Sequence, residues 1–375
     1  MTKSIHQYPA CPHCGGKLKS HDTRRLICMN KECKRTTSRT KLALSGFSPE
    51  HDMTRTVPEG FSVKGVSTLY DKKGNVAQQW VKSQQDGDAL AKALEAAFSG
   101  YKDELPRIAA VPAPTHTNSD LANVYVLTDY HLGMLSWAEE TGADWDMDIA
   151  EDLLVRWFAA AIAASPPAEL GVFVNLGDFM HWDGMDAVTP ASKHLLDADT
   201  RFQKLVRVAI RAKRQIIAML LEKHDRVHVI SAEGNHDPAS SVWLREWLSS
   251  VYADEPRVTI DTSADPYYCV EHGATSLFFH HGHKRKMEQV SDVFVAKFRD
   301  VFGRTKHSYA HTGHLHHDKR VENNLMTVEQ HRTLAAPDAY ASRGGWLSGR
   351  DAKVITYHKK HGEVGRLTIN PEMVQ

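Results

Sequence analysis

Gly313-His314-Leu315-His316 reads Gly-His-x-His, with His317 and Asp318 directly behind it. Two imidazoles one residue apart cannot share the buried face of a helix. On a turn that follows a strand, both can point at metal. The remaining ligands then have to come from earlier in the chain.

Upstream, the same arrangement recurs. The apolar run Ala122 to Leu127 predicts a buried strand, and it ends in Thr128-Asp129-Tyr130-His131. A second run, Gly171 to Leu176, ends in Gly177-Asp178, and a third, Arg226 to Ala232, ends in Gly234-Asn235-His236-Asp237. Helical spacing separates them. Ile149, Leu153, Trp157 and Ala161 fall on one face over about 148–164, and Phe202, Leu205, Val206, Ala209, Ile217 and Leu220 on another over about 198–223. A further helix holds Val242, Trp243 and Trp247. After Pro256 come β-rich segments at Arg257–Ile260, Tyr267–Glu271 and Ser276–His281, the last running into His280-His281-Gly282-His283. One more helix over about 287–302 uses Val290, Phe294, Phe298 and Phe302, and strands follow near 324–335 and 352–369. This alternation is that of an α/β protein, in which ligands gather outside the carboxyl ends of the strands. A lone Gly-Asp after a strand is usually a turn, and a lone His is usually structural. Five such clusters on one edge form one site.

The N-terminal region is different in kind. Four of the five cysteines, Cys11, Cys14, Cys28 and Cys33, lie close together and are spaced as two facing turns, the pattern of a zinc ribbon. Around them stand Lys17, Lys19, Arg24, Arg25, Lys31, Lys34, Arg35, Arg39 and Lys41, which suit phosphate contacts and point to DNA or RNA. The alternative is a protein-docking module formed by residues 1–105. Residues 46–84 read as a hairpin, with Val63, Val66, Leu69 and Tyr70 before a turn at residues 71–75 and Trp80 on the return strand. Leu90, Leu94, Ala97 and Phe98 then predict a helix over 88–101, and Pro106, Pro112 and Pro114 mark a linker. The expected domains are a basic ribbon over 1–45, a small α+β segment over 46–104, a linker over 105–120, and the α/β domain over 121–372.

The 375 residues carry no formal net charge, so a bulk electrostatic argument for nucleic acid does not exist. No apolar run approaches the roughly 18 residues of a membrane span. Met1 to Ala10 lacks the layout of a signal peptide, so the expected location is the cytoplasm, with no membrane partner.

Asp-x-His, Gly-Asp, Gly-Asn-His-Asp, a His before Gly, and Gly-His-x-His, in that order, resemble the calcineurin-like metallophosphoesterases over roughly residues 120–370. The N-terminal region and the layout resemble bacteriophage-encoded members, which would place the protein in an infected host's cytoplasm. The resemblance implies a four-layer αββα sandwich. It implies that Asp129, His131 and His316 hold one divalent ion, that Asn235, His281 and His314 hold a second, and that Asp178 bridges them. His236 would stand beside the ions as the catalytic acid, oriented by Asp237. Of the three histidines in the fourth motif, the family pattern selects His281, which strand alternation places on the side of Leu277 and Phe279. His181 and Asp183 sit either on an exposed loop or at the mouth of the site, so His181 and His283 are candidate substrate contacts.

The residue types suit that chemistry. Two ions about 4 Å apart can clamp phosphate oxygens and activate a bridging water. Histidine with an amide oxygen favours Mn, Fe or Zn over Mg. The expected activity is a nuclease or phosphodiesterase guided by the ribbon, which would carry one structural Zn. The alternatives are a protein or small-nucleotide phosphatase, and a non-catalytic binding protein on the same fold. Arg343 and Arg350 read as solvated surface or a phosphate clamp, and Cys269 as a core cysteine.

Overall fold

Around the cysteines the chain makes three short strands, β1 (Leu18–Ser20), β2 (Arg25–Cys28) and β3 (Thr36–Ser38), paired antiparallel in that order. Their apolar cluster is small: Leu18, Leu26, Cys11 and Cys28, with Cys33 against it. β4 (Phe61–Tyr70) and β5 (Val76–Gln85) form the expected hairpin. The computed structural model describes residues 10–21, 25–38, 61–71, 76–85 and 111–374. The helix expected over 88–101, the turn over 72–75 and the first part of the linker lie outside the described residues. The chain divides into two compact units, Met1–Lys102 and Asp103–Gln375.

In the second unit, β6 (Asn118–Leu127), β7 (Ala168–Asn175), β8 (Arg226–Ser231) and β9 (Val258–Ile260) run parallel. Their near-continuous apolar runs are those of strands covered on both faces. The connections carry α1 (Ala138–Thr141), α2 (Met147–Ala164), α3 (Phe202–Lys223) and α4 (Pro238–Val251). A second sheet holds β10 (Tyr268–His272), β11 (Thr275–Phe279), β12 (His307–Thr312), β13 (Lys319–Glu322) and β14 (Thr327–Gln330), in the order β10-β11-β12-β14-β13. α5 (Met287–Lys297), α6 (Arg299–Arg304) and α7 (Ala339–Gly344) are the other α-helices among the described residues of this unit. β15 (Ala352–His358) and β16 (Gly362–Ile369) return to the first sheet, which reads β16-β15-β6-β7-β8-β9.

Side-chain alternation decides what packs where. Val124, Val126, Val172 and Val174 point from the first sheet into one cluster with Val270, Leu277 and Phe279 of the second. Tyr125 and Phe173 point the other way, onto Phe158 of α2, with ring centroids 6.2 and 5.1 Å away. Phe278, Ala310 and Val328 cover the second sheet's outer face against Met287, Val290 and Phe294 of α5. The fold is mixed α/β with the two large sheets face to face.

Four expectations are corrected. Ile149 is 40% exposed, because the buried stripe of α2 runs through Met147, Ala150, Leu153, Leu154 and Trp157, and Ile149, whose amide Asp146 caps, lies off it. On α4 the buried stripe is Leu244 and Leu248, and Val242 is exposed. The helix expected over 287–302 breaks at Phe298 (φ −114°, ψ 40°) into α5 and α6. β13 is an addition to the expected strands, since Val321 is its only apolar residue. Cys269 is partly buried against the α5 cluster.

Candidate metal centre

The strand-end residues converge, and their backbones explain how. Asp129 and His131 (both φ 48°), Asp178 (φ 51°), His314 (φ 73°) and His316 (φ 55°) all lie in the left-handed region. Only Lys34 and Lys193 share it among the other described non-glycine residues. Each such residue costs on the order of 1–2 kcal/mol and persists only where surrounding contacts enforce it. Two glycines make room. A Cβ on Gly234 would overlap the Asp178 carboxylate, and one on Gly313 would overlap Thr128 and crowd Asp129.

Asp129 is fully buried. Its Oδ2 accepts from Thr128 Oγ1 at 2.5 Å and from the His314 amide at 2.8 Å. Its Oδ1 is buried without a hydrogen-bond partner, 3.2 Å from His316 Nε2 and 3.9 Å from His281 Nε2. Asp178 Oδ1 accepts the His236 amide at 2.7 Å, and Oδ2 lies 3.1 Å from His281 Nε2. His281 Nδ1 donates to the Leu176 carbonyl at 3.0 Å. That bond aims its Nε2 inward, 3.1 Å from Asn235 Oδ1.

Two donor sets that contain carboxylates result, each with its atoms within 4.8 Å of one another: Asp129, His131 and His316, and Asp129, Asp178, His281 and His314; a third group at the same spacing, His131, His181 and His236, has none. Asn235 joins the second through His281. The carboxylate common to the first two sets is Asp129, whereas the resemblance gave the bridging place to Asp178.

The electrostatics call for positive charge. Burial opposes ionisation of Asp129 and Asp178, yet the facing histidines hold both carboxyls well below their usual range. Burial opposes a charged His281, but Asp178 and Asp129 outweigh it and lift it to about 9. His316 is raised the same way by Asp129. Burial keeps His131 neutral, as a ligand imidazole must be. An orphaned carboxylate oxygen, two low carboxyls and inward imidazoles fit divalent transition ions.

Three expectations about neighbours change. Asp237 does not touch the His236 ring. It is buried and accepts the amides of Asp178 (3.1 Å), Phe179 (2.9 Å), Met180 (3.1 Å) and Gly234 (3.1 Å), tying the β7 and β8 loops together. Burial and the Asp178 charge push its carboxyl up to about 7. The His236 ring is held instead by Nδ1 donating to the His181 carbonyl at 2.8 Å. His181 is on neither an exposed loop nor the mouth: it is buried, with its Nδ1 3.1 Å from His131 Nδ1. Its place behind His131 has no signal in the sequence beyond the position after Gly-Asp. Asp183 accepts the amides of Ala239 and Ser240 at the start of α4.

His283 does reach the rim, its ring 5.2 Å from His281 and 6.2 Å from His314. His280 lies apart, stacked 4.3 Å from Tyr267. Arg343 pairs with Glu140, and Arg350 donates to the Leu334 carbonyl, so neither is a phosphate clamp. A buried group of His311, Glu329 and His331 also gathers between the sheets. Lys353 and Arg366 already occupy the Glu329 oxygens (2.8–2.9 Å), so it reads as an ion-pair network.

In the first unit, the four cysteine sulfurs lie within 4.8 Å of one another, with Cys14–Cys28 at 3.5 Å and Cys11–Cys33 at 4.0 Å. Four thiolates around one zinc stand about 3.8 Å apart, so the set fits. The Gly16 backbone draws the Cys14 thiol down to about 7, while burial pushes Cys28 up to about 12.

No family model matches the chain, and no curated protein matches it. Solved structures do. A phosphoesterase from E. coli, YfcE, aligns at 14% identity and a TM-score of 0.33, over 66% of this chain and 100% of its own. An archaeal phosphodiesterase aligns at 14% and 0.33, over 66% and 99%. A 5'-nucleotidase precursor from Thermus thermophilus aligns at 11% and 0.30, over 68% and 55%. At these values the chemistry rests on the chain's own residues. No helix among the described residues is long and apolar enough to cross a membrane.

Proposed function

We propose that the second unit is a two-metal phosphoesterase on the four-layer sandwich of the calcineurin-like family. The observation that carries this is the orphaned Asp129 Oδ1, facing His316 and His281 inside a ring of left-handed turns. Asp129, His131 and His316 would hold one ion, and Asn235, His281 and His314 the other, with Asp178 and Asp129 at the junction. Two divalent ions there would neutralise a phosphate and lower the pKa of water.

The chain's own residues do the rest. His236, fixed through Nδ1 by the His181 carbonyl, keeps Nε2 available to hold a proton for the leaving oxygen. His181 braces the His131 ring. Asp237 holds the two loops that present Asp178 and Asn235. The cysteine set would carry one structural zinc, and its basic surroundings direct the enzyme to DNA or RNA.

Metal analysis of the full chain should find about one zinc and two further transition ions. Loaded with Mn²⁺, it should hydrolyse bis-p-nitrophenyl phosphate. Unchanged turnover in Asp178→Asn and His236→Ala would sink the assignment. Cys28→Ser should leave small-ester turnover in place and lower oligonucleotide affinity in a salt-dependent way. An unchanged affinity would make the ribbon a protein-docking module.

A further inference from the structure

An aromatic platform flanks the metal centre and has no role in the chemistry above. α7 and the turn after it carry Tyr340, Trp346 and Leu347, which are 69%, 51% and 81% exposed. The two rings lie 4.9 Å apart, tilted by 59°. The indole is seated: a Cβ on Gly344 would stand 2.9–3.0 Å from it, so the ring rests on the Gly344 backbone and against Tyr340. The segment is tied to the centre, since Ser348 Oγ donates to the His316 carbonyl at 2.6 Å. It is braced by Arg343 and Ser342, both bonded to Glu140 at 2.7 Å. Large flat rings, held in place and left open to water beside a site, usually meet a partner.

The other end of the centre carries charge. Lys284, Arg285 and Lys286 follow His283 and are all exposed. Their side chains make no hydrogen bond or ion pair among the described residues. The Ser348 bond joins the platform's segment to His316, and the His283 ring, 5.2 Å from His281 and 6.2 Å from His314, joins the cations' segment to the other donors.

A ligand that matches rings at one end, phosphate in the middle and phosphate again at the other is a strand of nucleotides. A base reaches the platform only if it is unstacked, which selects a single strand. We propose, resting on the phosphoesterase reading, that this face binds single-stranded nucleic acid. A base stacks on the Trp346 indole with Tyr340 at its edge, and the backbone crosses the metal pair toward Lys284–Lys286.

The test is binding of labelled twelve-nucleotide oligo-dT and oligo-U to the full chain, with His236→Ala present to stop turnover. Trp346→Ala and Tyr340→Ala should each weaken binding about tenfold, with the salt dependence unchanged. Lys284→Gln with Arg285→Gln and Lys286→Gln should flatten the salt slope by about 2. Trp346→Phe should retain most of the affinity, and Gly344→Val, which displaces the indole without deleting it, should lose it. Parent-like affinity in the aromatic variants, or an equal loss on duplex, overturns the proposal. A loss on both sugars assigns stacking alone, and a loss on one adds a sugar contact; both support it. Failure of the phosphoesterase reading shows separately, as absent phosphodiester hydrolysis by the metal-loaded parent.

Discussion

The cysteine ribbon and the strand-edge centre gather metal donors in opposite ways. The ribbon is built on strands of three and four residues, and the cysteines themselves make up most of its apolar cluster. Its donors are its core. The strand-edge centre stands on two sheets whose shared cluster, Val124, Val172, Leu277, Phe279 and their neighbours, contains no donor. An ion held by the four cysteines would have to fold the first site, whereas the second is folded by its sheets whether or not an ion is bound. The difference appears as strain. Five of the candidate ligands hold left-handed backbone that only the surrounding sheets can enforce.

The largest expected effect breaks the two apart. On the proposal that the four cysteines hold zinc, stripping it would forfeit about 10–16 kcal/mol of folding free energy. A strong chelator should therefore abolish amide protection in β1–β3 and leave that of β6–β8 in place. Loss of protection in both would erase the distinction. Next is Asp178→Asn, expected to lower kcat about 10³-fold, several kcal/mol, while circular dichroism stays native. Removing Glu329 tests the sheets instead. Glu329→Gln leaves Lys353 and Arg366 facing a neutral partner in the buried network, at about 3 kcal/mol by denaturant unfolding.

The same network sets a pH dependence. Burial opposes ionisation of Glu329, but His331 and Arg366 hold its carboxyl far below the ordinary value of 4.5. A depressed carboxyl stabilises fully above its unfolded value, and that contribution is lost as pH falls through the folded one. Acid unfolding of the second unit should thus steepen below about pH 4.5 and be shallower in Glu329→Gln. Smallest is Asp146→Ala, which removes the cap on α2 for about 1 kcal/mol. It should lower the melting temperature without moving kcat, and a change in kcat would mean that α2 reaches the centre.

The strand-end motifs were legible because their signals are local. An apolar run followed by Asp, Asn or His needs only neighbouring residues to be read. The α2 and α3 stripes were legible for the same reason, apart from Ile149 in the capped first turn. β13 was not, because an edge strand with one apolar residue has no periodicity to show. The break at Phe298 was hidden too, since Phe298 and Phe302 continue the helical spacing while the backbone does not.

The sequence by itself determined which residue types could meet metal, in what order along the chain, and that cysteine and histidine sites would be separate. Only the tertiary structure decided that Asp129 is shared by both donor sets, that Asp237 serves four backbone amides and not His236, and that His181 is buried behind His131. Each of those depends on positive-φ turns and on loops from different strands approaching within hydrogen-bond distance. That approach is set by how the two sheets stack, and no short stretch of the chain encodes it.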